Sequence, residues 1–261
     1  MATAVKKKAA KKKATRRATA GAIYLYGISQ PVKGAVEIRA EAVDGIAAIE
    51  ARRVDGLDCW ISWMDRGEYA DQLAENMENL EWLATIGVRH QRAVAELASK
   101  VNVLPARFGT VFLSDESLAV HVASGKKSIQ SVFKKIAGAE EWGVKVFRVS
   151  QPARAAIAEA VSGTDYLKRK AQTALPRAKE ADPALQALAK ALAAVSVETA
   201  PGGKASSGQP NLVWHGSFLV RRADQKKFAA ALKKFTTQFS DGYNVECSGP
   251  WPPYSFVGQH G

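Results

Sequence analysis

Residues 22–28 read AIYLYGI, and the reading of these seven residues decides the fold. They follow a basic stretch, so they are either the apolar part of a secretory signal or the first strand of a sheet. The apolar run is short, it breaks at Gly27, and no small-residue cleavage site follows, which argues against a signal. Aromatic and β-branched residues ending in Gly27 and SQP predict an uncleaved strand instead.

Upstream, residues 1–20 hold Lys6, Lys7, Lys8, Lys11, Lys12, Lys13, Arg16 and Arg17 and no acid. The chain has 261 residues and a formal charge of +12; without those eight bases it carries 29 Lys and Arg against 25 Asp and Glu, or +4. The basicity therefore belongs to a tail that is low in complexity and poor in large apolar residues, and its composition predicts disorder. No stretch approaches the roughly 20 apolar residues that span a bilayer, and no membrane contact is expected. Cys59 and Cys247, far apart and outside any CxxC, suit two buried thiols in a reducing cytoplasm rather than a disulfide framework.

Downstream, AVEIRAEAV (35–43) and GIAAIEARRV (45–54) predict two more strands joined at Asp44-Gly45, a hairpin-like dipeptide. LDCWISWM (57–64) predicts a further strand with Leu57, Cys59, Ile61 and Trp63 on one face. The period then changes. Leu73, Met77, Leu80 and Ala84 predict one amphipathic helix, and Ile86, His90, Ala93, Leu97 and Val101 a second after Gly87. VNVLPARFGTVF (101–112) returns to strand character. Ser114 is a helix N-cap succeeded by two acids, and Gly125 and Gly138 punctuate two short helices that close this half.

WGVKVFRV (142–149) opens a second unit as a strand, with Val144 and Val146 on one face. Residues 153–198 are Ala-rich and helical, interrupted at Pro176 and restarted at Asp182-Pro183, with Leu185, Leu188, Leu192 and Val195 as the buried stripe. Residues 199–211 read as a flexible connector. A strand (212–220), a helix capped by Asp224 with Phe228, Leu232, Phe235 and Phe239 on one face, and a last strand YNVECS complete the order β, α, β, α, β. That order suits an α+β sandwich of ferredoxin-like kind for the second unit, in an α+β chain with a disordered basic tail and an extended Pro/aromatic C-terminal segment. The expected boundaries are 1–20 for the tail, 21–140 for the first domain, 141–257 for the second, and 258–261 for a short end.

Common catalytic motifs are absent: there is no HExxH, no GxSxG, no dinucleotide glycine fingerprint, and GKKS at Gly125 lacks the upstream glycine of a phosphate loop. His90, His121, His215 and His260 fall in four elements without an i, i+4 partner, so no metal or other cofactor is expected and His90 reads as a packed helix-face histidine. Arg107 stands where alternation wants a neutral residue; as a half-buried cation it must be paired, either with a helix acid or with an anion or partner. Lys168, Arg169 and Lys170 beside Tyr166 read as a solvated face.

In this order, YLYGI, RHQRAV, VLPARFGTVF, EEWGVKVFRV, SGTDYL and the terminal SGPWPPYSFV make a chain that resembles the gas vesicle protein F/L family (GvpF/GvpL) across roughly residues 22–257. The resemblance implies an α+β protein of two modified ferredoxin-like domains, acting as an accessory protein of gas vesicle assembly, and no enzymatic activity. It implies a place at the intracellular gas vesicle, with the small hydrophobic shell protein and other vesicle proteins as partners. The basic tail is a departure from that pattern, and nucleic-acid binding through it is the alternative function. Arg107, Phe108, Tyr166, Trp251, Tyr254 and Phe256 are the candidate residues for partner or domain contacts. Pro250, Pro252 and Pro253 bar the last segment from a central strand. Its three aromatics make it either a strap over the two domains or an arm for a partner.

Overall fold

AIYLYGI is a strand in the computed structural model, which describes residues 21–149, 182–202 and 209–258. Strand β1 (Gly21–Ser29) is buried over all but its first residue. Burial on both faces is why it reads as a continuous apolar run rather than an alternation. β3 (Leu57–Asp65) lies on one side of it, and β4 (Val103–Pro105) and β5 (Val111–Phe112) share the other. With β2 (Glu50–Val54) outside β3, the order is β2-β3-β1-β4, antiparallel throughout. The β1–β3 register slips between Leu25 and Gly27. A Cβ at Gly27 would stand 2.7 Å from Val103 Cγ2 and 2.8 Å from the Leu104 carbonyl, so β4 can approach only a glycine.

The hairpin lies at a different Asp-Gly pair from the one expected. β2 turns into β3 at Asp55-Gly56, whose φ angles of 46° and 81° are both positive, as a type I′ turn demands. Residues 30–49, expected to hold one strand and the start of another, contain no strand before Glu50. Side chains take the backbone donors that a ladder would have used: Val32 N–H donates to Asp58 Oδ2 (2.8 Å), Ala40 N–H to Glu96 Oε2 (2.6 Å), Val43 N–H to Tyr26 Oη (3.0 Å), and Ile46 and Ala47 N–H to Asp44 Oδ1 (2.9 Å each). Asp44 thus closes a local turn, and Glu96, whose carboxyl is held below its usual range chiefly by Lys100, pins the segment to a helix.

That helix, α1 (Leu80–Lys100), replaces the two helices expected between 73 and 101. Asn79 caps it, its side chain accepting from Glu81 N–H and Trp82 N–H, and the helix runs through Gly87. Before it the chain forms only short helical turns at Gly67–Asp71 and Leu73–Asn76, and Leu80 is 79% exposed. Ile86, His90, Ala93 and Leu97 are buried as the periodicity predicts. Ser114 caps α2 (Asp115–Ile136) through a capping box with Ser117. α2 is one helix rather than two, because Gly125 faces inward in the stripe Leu118, Val122, Gly125, Ile129 and Phe133.

The second sheet has the order β7-β8-β6-β9, built from β6 (Ala139–Arg148), β7 (Glu198–Pro201), β8 (Leu212–Arg221) and β9 (Tyr243–Trp251). α3 (Pro183–Ala193) precedes β7, and Asp182 caps it by accepting from Ala184 N–H ahead of Pro183 at the first turn. α4 (Gln225–Gln238) joins β8 to β9. Val144, Val146, Leu185, Leu188, Leu192, Phe218, Val220, Phe228, Leu232 and Phe235 form its core. Asp224 stands at the start of α4 as expected but makes no side-chain cap; it binds Lys227 Nζ at 2.8 Å. Part of the expected connector is ordered, since Thr199–Pro201 belong to β7 and pair with Ser217 and Phe218 among others.

The chain divides into two compact units, residues 21–141 with 250–258, and residues 142–249. The terminal segment, expected with the second domain, packs instead with the first. The basic tail, the Ala-rich residues up to 181 with Tyr166 and its neighbouring bases, residues 203–208 and His260 lie outside the described residues.

Candidate functional site

Four of the segments that carry the family resemblance, YLYGI, RHQRAV, VLPARFGTVF and SGPWPPYSFV, contribute residues to one cluster in the first unit, around His90. β1 contributes Tyr24 and Tyr26, both pointing to the face that α1 covers with His90 at its middle. The loop between β4 and β5 brings Phe108 and Gly109, and the last strand hands over to Pro252, Pro253 and a single helical turn at Tyr254–Phe256. The His90 ring lies 5.7 Å from the Tyr24 and Phe108 ring centres, 6.1 Å from Tyr26 and 6.4 Å from Tyr254.

Hydrogen bonds order this cluster. Gly109 N–H donates to Tyr24 Oη (3.1 Å), and the same hydroxyl is hydrogen-bonded to His90 Nδ1 (2.9 Å). The other ring nitrogen, Nε2, is hydrogen-bonded to Tyr254 Oη at 3.2 Å. Next door, Tyr26 Oη accepts from Val43 N–H and is hydrogen-bonded to Ser62 Oγ at 2.9 Å. Burial lowers His90 to about 4, with the Ala106 carbonyl working against it. Burial also raises Tyr24 and Tyr254 well above the usual phenol range and pushes Tyr26 up to about 12. A histidine held neutral and phenols held protonated exchange no protons near neutral pH. The arrangement is a hydrogen-bonded clasp rather than an acid–base pair.

Two further polar contacts hold the terminal segment. Glu141, 8% exposed, accepts from Ser255 N–H (2.8 Å) and from Ser255 Oγ (2.5 Å). Arg107 donates from Nη2 to the Gly258 carbonyl at 3.0 Å. Phe256 and Val257 are buried beside them, at 3% and 1% exposure.

Of the six expected site residues, Arg107, Phe108, Tyr254 and Phe256 come together here. Trp251 lies at the end of β9 and is 45% exposed, and Tyr166 is outside the described residues. The expectation for Arg107 is corrected: it is exposed, and the partner seen is a main-chain carbonyl rather than a helix acid. Neutral Ala106 takes the buried position instead. Tyr24, Glu141, Ser255 and Gly109 were missed, although all four stand in the segments YLYGI, EEWGVKVFRV, SGPWPPYSFV and VLPARFGTVF. Among the described residues no group of three or more His, Cys, Asp or Glu side chains is placed to hold a metal ion.

Comparison with known proteins agrees with the segments. Residues 22–258 match the family of gas vesicle synthesis proteins GvpL/GvpF. Gas vesicle protein L of a Streptomyces species is 28% identical over 249 residues, covering 90% of this chain and 92% of that protein. Gas vesicle protein F of Haloferax mediterranei is 25% identical over 159 residues, 61% of this chain and 62% of its own. The fold is similar to the crystal structure of GvpF from an Anabaena species (TM-score 0.67, 18% identity, 91% of this chain and 96% of that one). It is also similar to GvpF from Microcystis aeruginosa (TM-score 0.64, 18% identity, 92% and 99%). The chain belongs to the GvpL/GvpF family of gas vesicle synthesis proteins.

Proposed function

We propose that this protein assists gas vesicle assembly by binding the small hydrophobic shell protein, other vesicle proteins, or both. The observation that carries the reading is the family match over residues 22–258, nearly the whole chain. A core whose ionisable groups are held in one protonation state suits a binding scaffold better than a catalyst. Both sheets are read as variants of one ferredoxin-like plan, the order β2-β3-β1-β4 in the first corresponding to β7-β8-β6-β9 in the second. Arg107 and Trp251, being exposed, are the members of the expected set that face partners. Phe108, Tyr254 and Phe256 hold the segment that carries them.

Strand addition is the mode favoured, and β9 is the edge that suits it. The edge strand β2 spans five residues and ties Arg52 to Asp115 and Arg53 to Asp58. β7 spans four and ends in Pro201. β9 spans nine, has one neighbouring strand among the described residues, and is largely exposed. The test is a pull-down of vesicle proteins with the full chain, then hydrogen exchange on the complex. Shell protein should be retained with or without residues 1–20, and β9 amides should gain protection. Retention of no vesicle protein overturns the reading.

A second reading assigns duplex DNA binding to the eight bases of the tail. Affinity that falls steeply with salt, and vanishes when residues 1–20 are removed, would support it; absent or salt-insensitive binding would sink it.

A further inference from the structure

The +4 charge outside the tail is an average of two opposite values. Residues 142–249 hold 16 Lys and Arg against 8 Asp and Glu, whereas residues 21–141 with 250–261 hold 13 against 17. The excess in the second unit is concentrated on α4. Its inward stripe is Phe228, Leu232 and Phe235, and its outward face presents Lys226, Lys227, Lys233 and Lys234 with the exposed alanines Ala229 and Ala230 between them. The helix contains no acid. Lys227 is paired with Asp224, but Lys226, Lys233 and Lys234 form no ion pair with a described residue.

The first unit presents the complement. Residues 65–81 contain six acids and one base, Arg66, which is already paired with Asp71. Its last part combines exposed Glu75, Glu78 and Glu81 with two exposed apolar side chains, Met77 (43%) and Leu80 (79%). Elsewhere several bases of this unit are matched at home: Arg52 with Asp115, Arg53 with Asp58, Arg89 with Glu41, Lys100 with Glu96 and Lys126 with Asp55. Glu75, Glu78 and Glu81 carboxylates have no such partner among the described residues.

We propose that the lysine face of α4 in one copy docks on the Glu75–Glu81 segment of a second copy. The fit is of charge and of apolar surface together: three carboxylates flank Met77 and Leu80, and the unpaired lysines flank two alanines small enough to admit them. The contact joins different patches on the two copies, so it is heterologous, and it extends into a row unless the rotation closes it. Exposed ion pairs are individually weak, so the association is weak and salt-dependent. It is separate from shell-protein binding and stands or falls without it.

The test is sedimentation velocity of the full chain. Self-association should weaken by roughly tenfold or more when salt is raised from about 0.05 to about 0.5 M. The triple variant Lys226→Glu, Lys233→Glu, Lys234→Glu and the triple variant Glu75→Lys, Glu78→Lys, Glu81→Lys should each be monomeric alone. Mixed, they should associate again, because each supplies the face the other lacks, an outcome that misfolding of either could not produce. A wild-type chain that is monomeric at both salts overturns the proposal, as does a mixture that stays monomeric. Association that disappears on removal of residues 2–20 while surviving the α4 substitutions also overturns it, and assigns the contact to the tail.

Discussion

The two units use the same strand order and solve their cores differently. In the second, a helix (α3) stands between the first and second strands, and the core is apolar: leucines from α3 share it with Phe218, Phe228 and Phe235, and the Phe218 and Phe228 ring centres lie 5.5 Å apart. In the first, the corresponding stretch, residues 30–49, is irregular, and its backbone donors are satisfied by Asp58, Glu96, Tyr26 and Asp44. That unit's core contains His90, Tyr24, Tyr26 and Ser62 and is completed by residues from the far end of the chain. A helix satisfies its own backbone; an irregular segment needs side-chain acceptors, and these draw polar groups into the interior. The contrast teaches that one plan tolerates either solution, at the cost of pH sensitivity in the polar one.

Cutting the chain after Pro253 should break the comparison hardest. It removes Tyr254, Phe256 and Val257 from the first unit, takes Ser255 from Glu141 and takes Tyr254 from His90 Nε2. A loss of about 5 kcal/mol or more is expected, seen as accelerated hydrogen exchange in β1 and α1 while α4 keeps its protection. Phe235→Ala is the mirror experiment, costing about 3–5 kcal/mol in the second unit, with exchange rising in α4 and not in α1. If either change melted both units equally, the division into separate cores would be wrong.

A smaller effect concerns pH. His90 is lowered from 6.5 to about 4, so the folded state favours the neutral ring. Between those values the unfolded chain binds more protons; stability is complete above about 6.5 and falls as pH drops towards 4, by about 3 kcal/mol. His90→Gln should lack that part of the acid sensitivity, measured as the difference between the two denaturation curves at pH 7 and pH 4.5. Smallest of all, Trp251→Ala should cost under about 1 kcal/mol, because the side chain is 45% exposed. A larger drop in melting temperature would mean that Trp251 holds the terminal segment, as Tyr254 and Phe256 do.

Where each residue's own chemistry decided the outcome, the fold was legible. AIYLYGI was a strand, Ser114 and Asp182 were caps, and the stripes Ile86–His90–Ala93–Leu97 and Phe228–Leu232–Phe235 were buried as their spacing required. Misreadings arose where tertiary partners decided. Asp44-Gly45 and Asp55-Gly56 are the same dipeptide, and only the strands beside the second make it a hairpin. Gly125 and Gly87 look like helix breakers until neighbours are present to pack against them or the helix is long enough to carry them. The site was half legible: SGPWPPYSFV and VLPARFGTVF stand out by composition. Their meeting across 151 residues, at Arg107 and Gly258, and the part of Glu141 in it leave no periodic trace in a sequence.

That separation has a consequence for how the protein is born. Tyr254 closes on a histidine 164 positions earlier, and Ser255 on a glutamate 114 positions earlier. A ribosome therefore delivers the whole of the second unit before the first has received its last side chains. The early strands must wait with His90 and Tyr24 uncovered while later residues, whose own core needs nothing from the terminal segment, are free to fold. A nascent chain stalled before Tyr254 would present one unit with its core assembled and one with His90 and Glu141 still waiting for Tyr254 and Ser255.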